Sequence, residues 1–235
     1  MTSRPTTLVV FDLDGTLVDT APDLAATLNV ILAREGLPPV DYEAARNMVG
    51  GGARVMLERG LAAAGRNLPT TAVDALTRDF IEHYAAHIAD TSRPFPGVEA
   101  ALDTLTERGY RLAVCTNKLE WLSLRLLDAL GLSKRFSAIC GADTFGISKP
   151  NPEILRRTIG RAVATDDGAV MVGDSLTDIA TARAAGIPVI AVDFGYTDTP
   201  VSALAPDWII SRFADLPEAV HALVGTPRNE FRTNS

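Results

Sequence analysis

Apolar positions recur along this chain with two different periods. A short run, Leu8 to Phe11, is apolar at every position and ends abruptly in Asp12, Asp14 and Gly15, as a buried strand entering a turn would. After it, residues 20–36 place Leu24, Leu28, Ile31 and Leu32 three and four apart, on one stripe of an α-helix. Thr20 and Asp23 have the spacing of a capping box, and Gly36 stands where a residue just past a helix end belongs. Segments 42–49, 52–65 and 70–88 also read as helix, and nothing between Tyr42 and Asp90 reads as a strand. From residue 97 the pattern alternates. Helices are predicted at 97–109, 120–131, 151–162, 177–186 and 216–224, and strands at 110–116, 136–140, 168–173, 187–192 and 208–210.

Short strands that are apolar toward both faces, alternating with helices, imply a parallel sheet covered on both sides. The expected fold class is therefore α/β. Residues 1–17 and 95–235 form the sheet-bearing core, residues 18–94 are an all-helical insertion after its first strand, and the tail 225–235 is expected to fray. With 235 residues, 47% of them hydrophobic, the chain can bury a full core. It shows neither the apolar segment of a secretory signal nor a run long enough to span a membrane, so a cytoplasmic address is expected. Lys and Arg number 22 against 29 Asp and Glu, with no dense basic run, which argues against nucleic acid as a partner. Cys115 and Cys140 sit in apolar segments without a CxxC spacing and read as buried thiols.

In open α/β sheets, ligands sit beyond the carboxyl ends of the strands. Those ends carry Asp12, Asp14 and Thr16, then Thr116, Asn117 and Lys118, then Asp174, Ser175 and Asp178, with Lys149 on an intervening loop. Acids converging at one strand mouth raise one another's pKa unless a cation holds them ionised. A hard, all-oxygen set suits Mg²⁺, held by the carboxylates of Asp12 and Asp174.

These fragments, "DLDGT" at 12–16 within its strand, "CTNK" at 115–118, Lys149 and "GDSLTD" at 173–178, resemble the four motifs of the haloacid dehalogenase-like superfamily. The likeness is greatest to its phosphatases with a helical cap after the first strand, the phosphoglycolate phosphatase-like family, and it extends over residues 6–224. The resemblance implies a Rossmann-like core with an inserted cap, and a phosphomonoester hydrolase acting on a small phosphorylated metabolite. It implies Asp12 as the nucleophile, which would form an aspartyl-phosphate. Asp14 would be the general acid and base, its main-chain carbonyl a further metal ligand. Thr116 and Lys149 would meet the charge on the phosphoryl oxygens. Asp178 would orient metal-bound water or Lys149, or else cap the following helix. Asn117 and Ser175 read as phosphate contacts or as loop supports, and Lys118 reads more as surface charge than as a site group.

Substrate choice is expected to lie in the insertion. Gly50, Gly51 and Gly52 would weaken any helix interior, and a loop of this kind can approach a ligand closely. Gly51, Gly52 and Arg54 are the expected contacts for an anionic substrate tail, with a plain interhelical bend as the other reading. Phosphoglycolate is the favoured substrate. Pyrophosphate, a sugar phosphate, a nucleotide, a phosphosugar mutase reaction and a non-catalytic phospholigand sensor are the alternatives. His83, His87 and His221 fall in predicted helices and lack a zinc-site pattern. Trp121 and Trp208 are expected to pack on the core, and "FGYTDTP" at 194–200 has no assigned role. The oligomer is expected to be a monomer or homodimer.

Overall fold

The computed structural model describes residues 7–162, 164 and 168–225. Its core is a six-stranded parallel sheet in the order β5-β4-β1-β6-β7-β8. These are β1 (Leu8–Phe11), β4 (Arg111–Cys115), β5 (Ala138–Cys140), β6 (Ala169–Gly173), β7 (Val189–Val192) and β8 (Trp208–Ile210). β1 is central, with Phe11 opposite Val114 of β4 on one side and Val172 of β6 on the other.

Alternation along β1 divides the core in two. Val9 and Phe11 join one apolar cluster, with α5 (Val98–Glu107), α6 (Glu120–Ala129) and α9 (Leu216–Val224). Leu8 and Val10 join the other, beneath α7 (Pro152–Arg161) and α8 (Leu176–Ala185). This is the doubly covered sheet that the apolar strands predict. The buried, unbridged Cys115 and Cys140 lie opposite each other in neighbouring strands.

Between β1 and β4 the chain forms four helices, α1 (Ala21–Arg34), α2 (Tyr42–Arg46), α3 (Ala53–Ala63) and α4 (Thr70–Ala86). Two-residue strands that the apolar pattern does not foretell, β2 (Val18–Asp19) and β3 (Arg93–Pro94), pair antiparallel and bring both ends of this insert together. Inside it, Leu28, Leu57, Leu61, Leu76, Phe80 and Tyr84 are buried against one another and continue the larger core cluster.

Two sequence expectations are corrected. Thr20 and Asp23 do not form a capping box: Thr20 Oγ1 donates to Asp14 Oδ1 at 2.8 Å, while Asp23 accepts from the amides of Thr91 and Ser92. Both side chains are claimed by distant groups that satisfy them better than the helix end. Trp121 and Trp208 are 44% and 43% exposed rather than packed inside. Trp121 lies in the first turn of α6, and Trp208 opens a strand at the edge of the sheet, where one side lacks a neighbour. No described helix is long and apolar enough to cross a membrane. The expected fraying at 226–235 lies outside the described residues.

Candidate active site

The core strands, numbered among themselves, run in the order 3-2-1-4-5-6, which reverses direction between β1 and β6. A crevice is expected beyond the carboxyl ends of those two strands, and there the chain places Asp12 and Asp174. Asp12 continues β1, its amide donating to Val172 O at 2.9 Å. The chain then turns so tightly that Leu17 and Val18 both donate to Leu13 O at 3.0 Å. Gly15 makes that turn with φ +83°, and a Cβ there would come within 2.5 Å of Asp174 Oδ2. A side chain is therefore excluded both by backbone and by the site itself.

Asp12, Asp174 and Asp178 are all buried, and each can offer a carboxylate oxygen within 4.8 Å of the others. Lys149 Nζ reaches into this group, 2.8 Å from Asp12 Oδ1 and 2.6 Å from Asp178 Oδ1. Asp178 also serves the other role foreseen for it: its Oδ2 closes a capping box with Ser175 at the start of α8. Asp174 accepts from Thr16 Oγ1 at 2.8 Å and from the Tyr196 amide at 2.6 Å.

Burial raises the Asp12 carboxyl to about 6, against the pull of the Lys149 ammonium. Asp174 is raised too, by burial and then by the charges of Asp178 and Asp12. Burial alone would lower Lys149, yet the two aspartates outweigh it and keep the amine protonated. One ammonium among three buried acids leaves excess negative charge, even with Lys149 Nζ held 2.8 Å from Asp12 Oδ1. A set of buried hard oxygens with uncompensated charge fits a divalent cation.

Asp14 points away from this cluster. Lys118 Nζ contacts both its oxygens at 2.9 Å, so Lys118 is buried in the site rather than on the surface. Thr116, at the end of β4, is buried, and its Oγ1 accepts from the Lys118 amide at 3.3 Å. Asn117 bridges two loops. Its Nδ2 donates to Gly50 O and Lys149 O, both at 3.2 Å, and its Oδ1 accepts from the Lys149 amide at 2.8 Å. The glycine loop therefore meets the core: Gly52, with φ +87°, caps α3 and faces Asn117 O. Arg54 stands at the rim with its guanidinium bound by Glu58 at 2.9 Å and by Asp74.

Residues 9–192 match the model of the haloacid dehalogenase-like hydrolases. The chain belongs to that family. Among relatives within this hydrolase family, it is 52% identical over 211 residues to a phosphoglycolate phosphatase of Mesorhizobium japonicum, covering 90% of this chain and 92% of that one. It is 50% identical over 216 residues to another from Caulobacter vibrioides, covering 92% and 91%. A crystal structure described as a predicted phosphoglycolate phosphatase from Haemophilus somnus superposes with a TM-score of 0.85 at 32% identity, covering 91% of this chain and 97% of that one.

Within the haloacid dehalogenase-like frame, sequence reasoning undervalued Lys118 and gave Tyr84 and Tyr196 no role. Lys118 had a signal in its place directly after the strand-end pair Thr116 and Asn117. Tyr84 carried none, because on its helix it is one more core-facing residue. Tyr196 sits in the loop after β7, where the phenol bonds Asp19 and accepts from the Ala21 amide at 3.0 Å.

Proposed function

We propose that this protein is a Mg²⁺-dependent phosphomonoester hydrolase that works through an aspartyl-phosphate on Asp12 and takes 2-phosphoglycolate as substrate. The observation that carries this reading is the buried cluster of Asp12, Lys149, Asp174 and Asp178 at the sheet's switch point, beneath a helical insert. The relatives named phosphoglycolate phosphatase support the choice of substrate.

Asp12 and Asp174 would hold Mg²⁺ with the main-chain carbonyl of Asp14, and Asp178 stands beside them. When bound, the ion neutralises the clustered carboxylates and the charge of the phosphoryl group. Asp12 attacks phosphorus, and the bond to the leaving oxygen breaks as the aspartyl-phosphate forms. Lys149 stays protonated and offers its charge to the equatorial oxygens, where Thr116 adds a hydroxyl donor. Asp14 gives a proton to the departing glycolate oxygen, then takes one from the water that cleaves the acyl phosphate. Asn117 holds the Lys149 loop and the glycine loop in register across the site, while Gly51, Gly52 and Arg54 border the substrate tail.

In this reading residues 1–17 and 95–235 are the catalytic core and 18–94 a cap domain. The enzyme acts in the cytoplasm as a monomer or homodimer, without nucleic acid or membrane as partner. The test is phosphate release from a panel of monoesters with and without Mg²⁺, including 2-phosphoglycolate, a hexose phosphate, a nucleotide and pyrophosphate. Preference for 2-phosphoglycolate is expected. A better rate on another compound moves the substrate elsewhere, an isomerised sugar phosphate identifies a mutase, and binding without turnover identifies a sensor.

A further inference from the structure

A cavity of about 230 Å³ lies between the insert and the core, reaching from Asp14 and Lys118 past the glycine loop to Phe80 and Tyr84. Two features of its lining are unusual. Tyr84 is 1% exposed, and among the described residues its hydroxyl has the Lys118 ammonium beside it, which can only donate, and no acceptor for its own proton. A buried O–H left without an acceptor is costly, and where one persists it asks for a ligand. Lys118 Nζ lies 4.6 Å from the centre of the same ring while holding both oxygens of Asp14. The other lining cation, Arg54, is occupied by Glu58 and Asp74 and half exposed to solvent.

We infer that Lys118 and Tyr84 together form the acceptor for the carboxylate tail of the substrate. A carboxylate there gains the Tyr84 hydroxyl as a donor and shares the Lys118 ammonium. Burial holds the phenol up at about 12, so it donates throughout the neutral range. The tail and Asp14 compete for one ammonium. The apolar walls supplied by Leu24, Met56 and Phe80 exclude water around these contacts and strengthen them.

The inference rests on the phosphoglycolate reading, and one set of assays separates the two. kcat and KM are measured for 2-phosphoglycolate and for ethyl phosphate, whose tail is neutral, in the unmodified enzyme and in Tyr84→Phe, Lys118→Met and Arg54→Ala. The ratio of kcat/KM between the two esters is the readout, because damage to the common phosphoryl chemistry cancels in it. Tyr84→Phe and Lys118→Met are each expected to lower the ratio tenfold or more, and Arg54→Ala to lower it least. A ratio that survives both core-side substitutions, or that collapses only with Arg54→Ala, overturns the inference while leaving the substrate in place. An unmodified enzyme that shows no preference for 2-phosphoglycolate defeats the substrate reading itself, before any variant is compared. If Lys118→Met does not fold by circular dichroism, Tyr84→Phe, which keeps the ring, decides.

Discussion

The main-chain amide of Tyr196 donates to Asp174 Oδ2 at 2.6 Å. The same short loop accepts from the Arg46 guanidinium at Phe194 O (3.1 Å) and Gly195 O (2.8 Å), and the Tyr196 phenol bonds Asp19 in the strand leading into the insert. One of the acids proposed to hold the metal is thus oriented by a loop that also grips the helical insert.

Gly195 tests that relationship. A Cβ at this position would overlap the Asp174 side chain, which is itself boxed in by Thr16 and Gly15, so Gly195→Ala must turn the carboxylate. Groups that orient a metal ligand are commonly worth about 10 to 100-fold in metal affinity. Gly195→Ala is expected to raise the Mg²⁺ concentration for half activation, and the calorimetric Mg²⁺ Kd, by about tenfold or more. Tyr196→Phe keeps the amide and the ring but orphans the buried Ala21 amide. It should leave the Mg²⁺ requirement unchanged and cost about 1–3 kcal/mol in urea denaturation. A Gly195→Ala enzyme with ordinary Mg²⁺ affinity would show that the loop does not hold Asp174.

Metal and pH should be linked through Asp12 and Asp174. Both carboxyls are raised in the fold, by burial first and by neighbouring charge second, Asp12 to about 6. The folded, metal-free chain therefore keeps protons that the unfolded chain releases near pH 4. The stability Asp12 supplies in this way is complete below that pH and is lost as pH rises through about 6, and the raised Asp174 carboxyl acts in the same direction. Mg²⁺ favours the ionised forms, so its stabilising effect grows over the same window. Thermal denaturation with and without saturating Mg²⁺ should give a clearly larger Tm increase near pH 7.5 than near pH 5. Equal increases at both values would detach the metal from these two acids.

The layered core was legible because its signal is local: its strands are short apolar runs, and the helices that cover them bury apolar residues three and four apart. Asp12 and Asp174 were legible because a charge at the end of an apolar strand is conspicuous, and Lys149, on a loop, through its place in the motif order. Residues whose roles depend on three-dimensional neighbours were not. Lys118 looks like any lysine after a strand until Asp14, 104 residues away in sequence, is seen beside it. Thr20 and Asp23 have the right spacing for a cap, but spacing is blind to the competing partners Asp14, Thr91 and Ser92. Arg54, singled out for its place beside the glycines, is bound by Glu58, one turn along its helix, and by Asp74 on the next, a partner that spacing does not show.

The two acids of "DLDGT" should fail differently. Asp12→Asn removes the proposed nucleophile and should abolish both turnover and the covalent intermediate. Asp14→Asn removes the proton donation proposed for this residue, and general acid catalysis contributes about 10² to 10⁴-fold. An activated aryl phosphate, whose leaving group needs little protonation, should lose far less than an alkyl phosphate. Comparing kcat/KM for the two ester types in Asp14→Asn checks the role. Equal losses on both would assign Asp14 to metal binding or positioning instead.

The insert is closed at its base by Asp23. The carboxylate, nearly buried at the start of α1, accepts from the amides of Thr91 (3.0 Å) and Ser92 (2.8 Å) and from both hydroxyls, of which Ser92 Oγ is at 2.7 Å. Four donors converge on one acceptor group, tying the entry of the insert to its exit. Burial opposes ionisation here, but the bonds from Thr91 and Ser92 outweigh it and hold the carboxyl below its usual value. An acid lowered in this way adds stability above its unfolded pKa, near 4, and that contribution is lost as pH falls through the folded value. Asp23→Asn keeps the shape but turns an amide NH₂ toward donors that need an acceptor. Urea unfolding near pH 7 should show a loss of about 1–3 kcal/mol, comparable to leaving a buried donor unsatisfied. The difference from the unmodified chain should shrink in acid, below the point at which Asp23 itself takes up a proton. A variant as stable as the parent near pH 7 would mean that β2 and β3, with the apolar packing of α1 against α4, hold the base of the insert without this carboxylate.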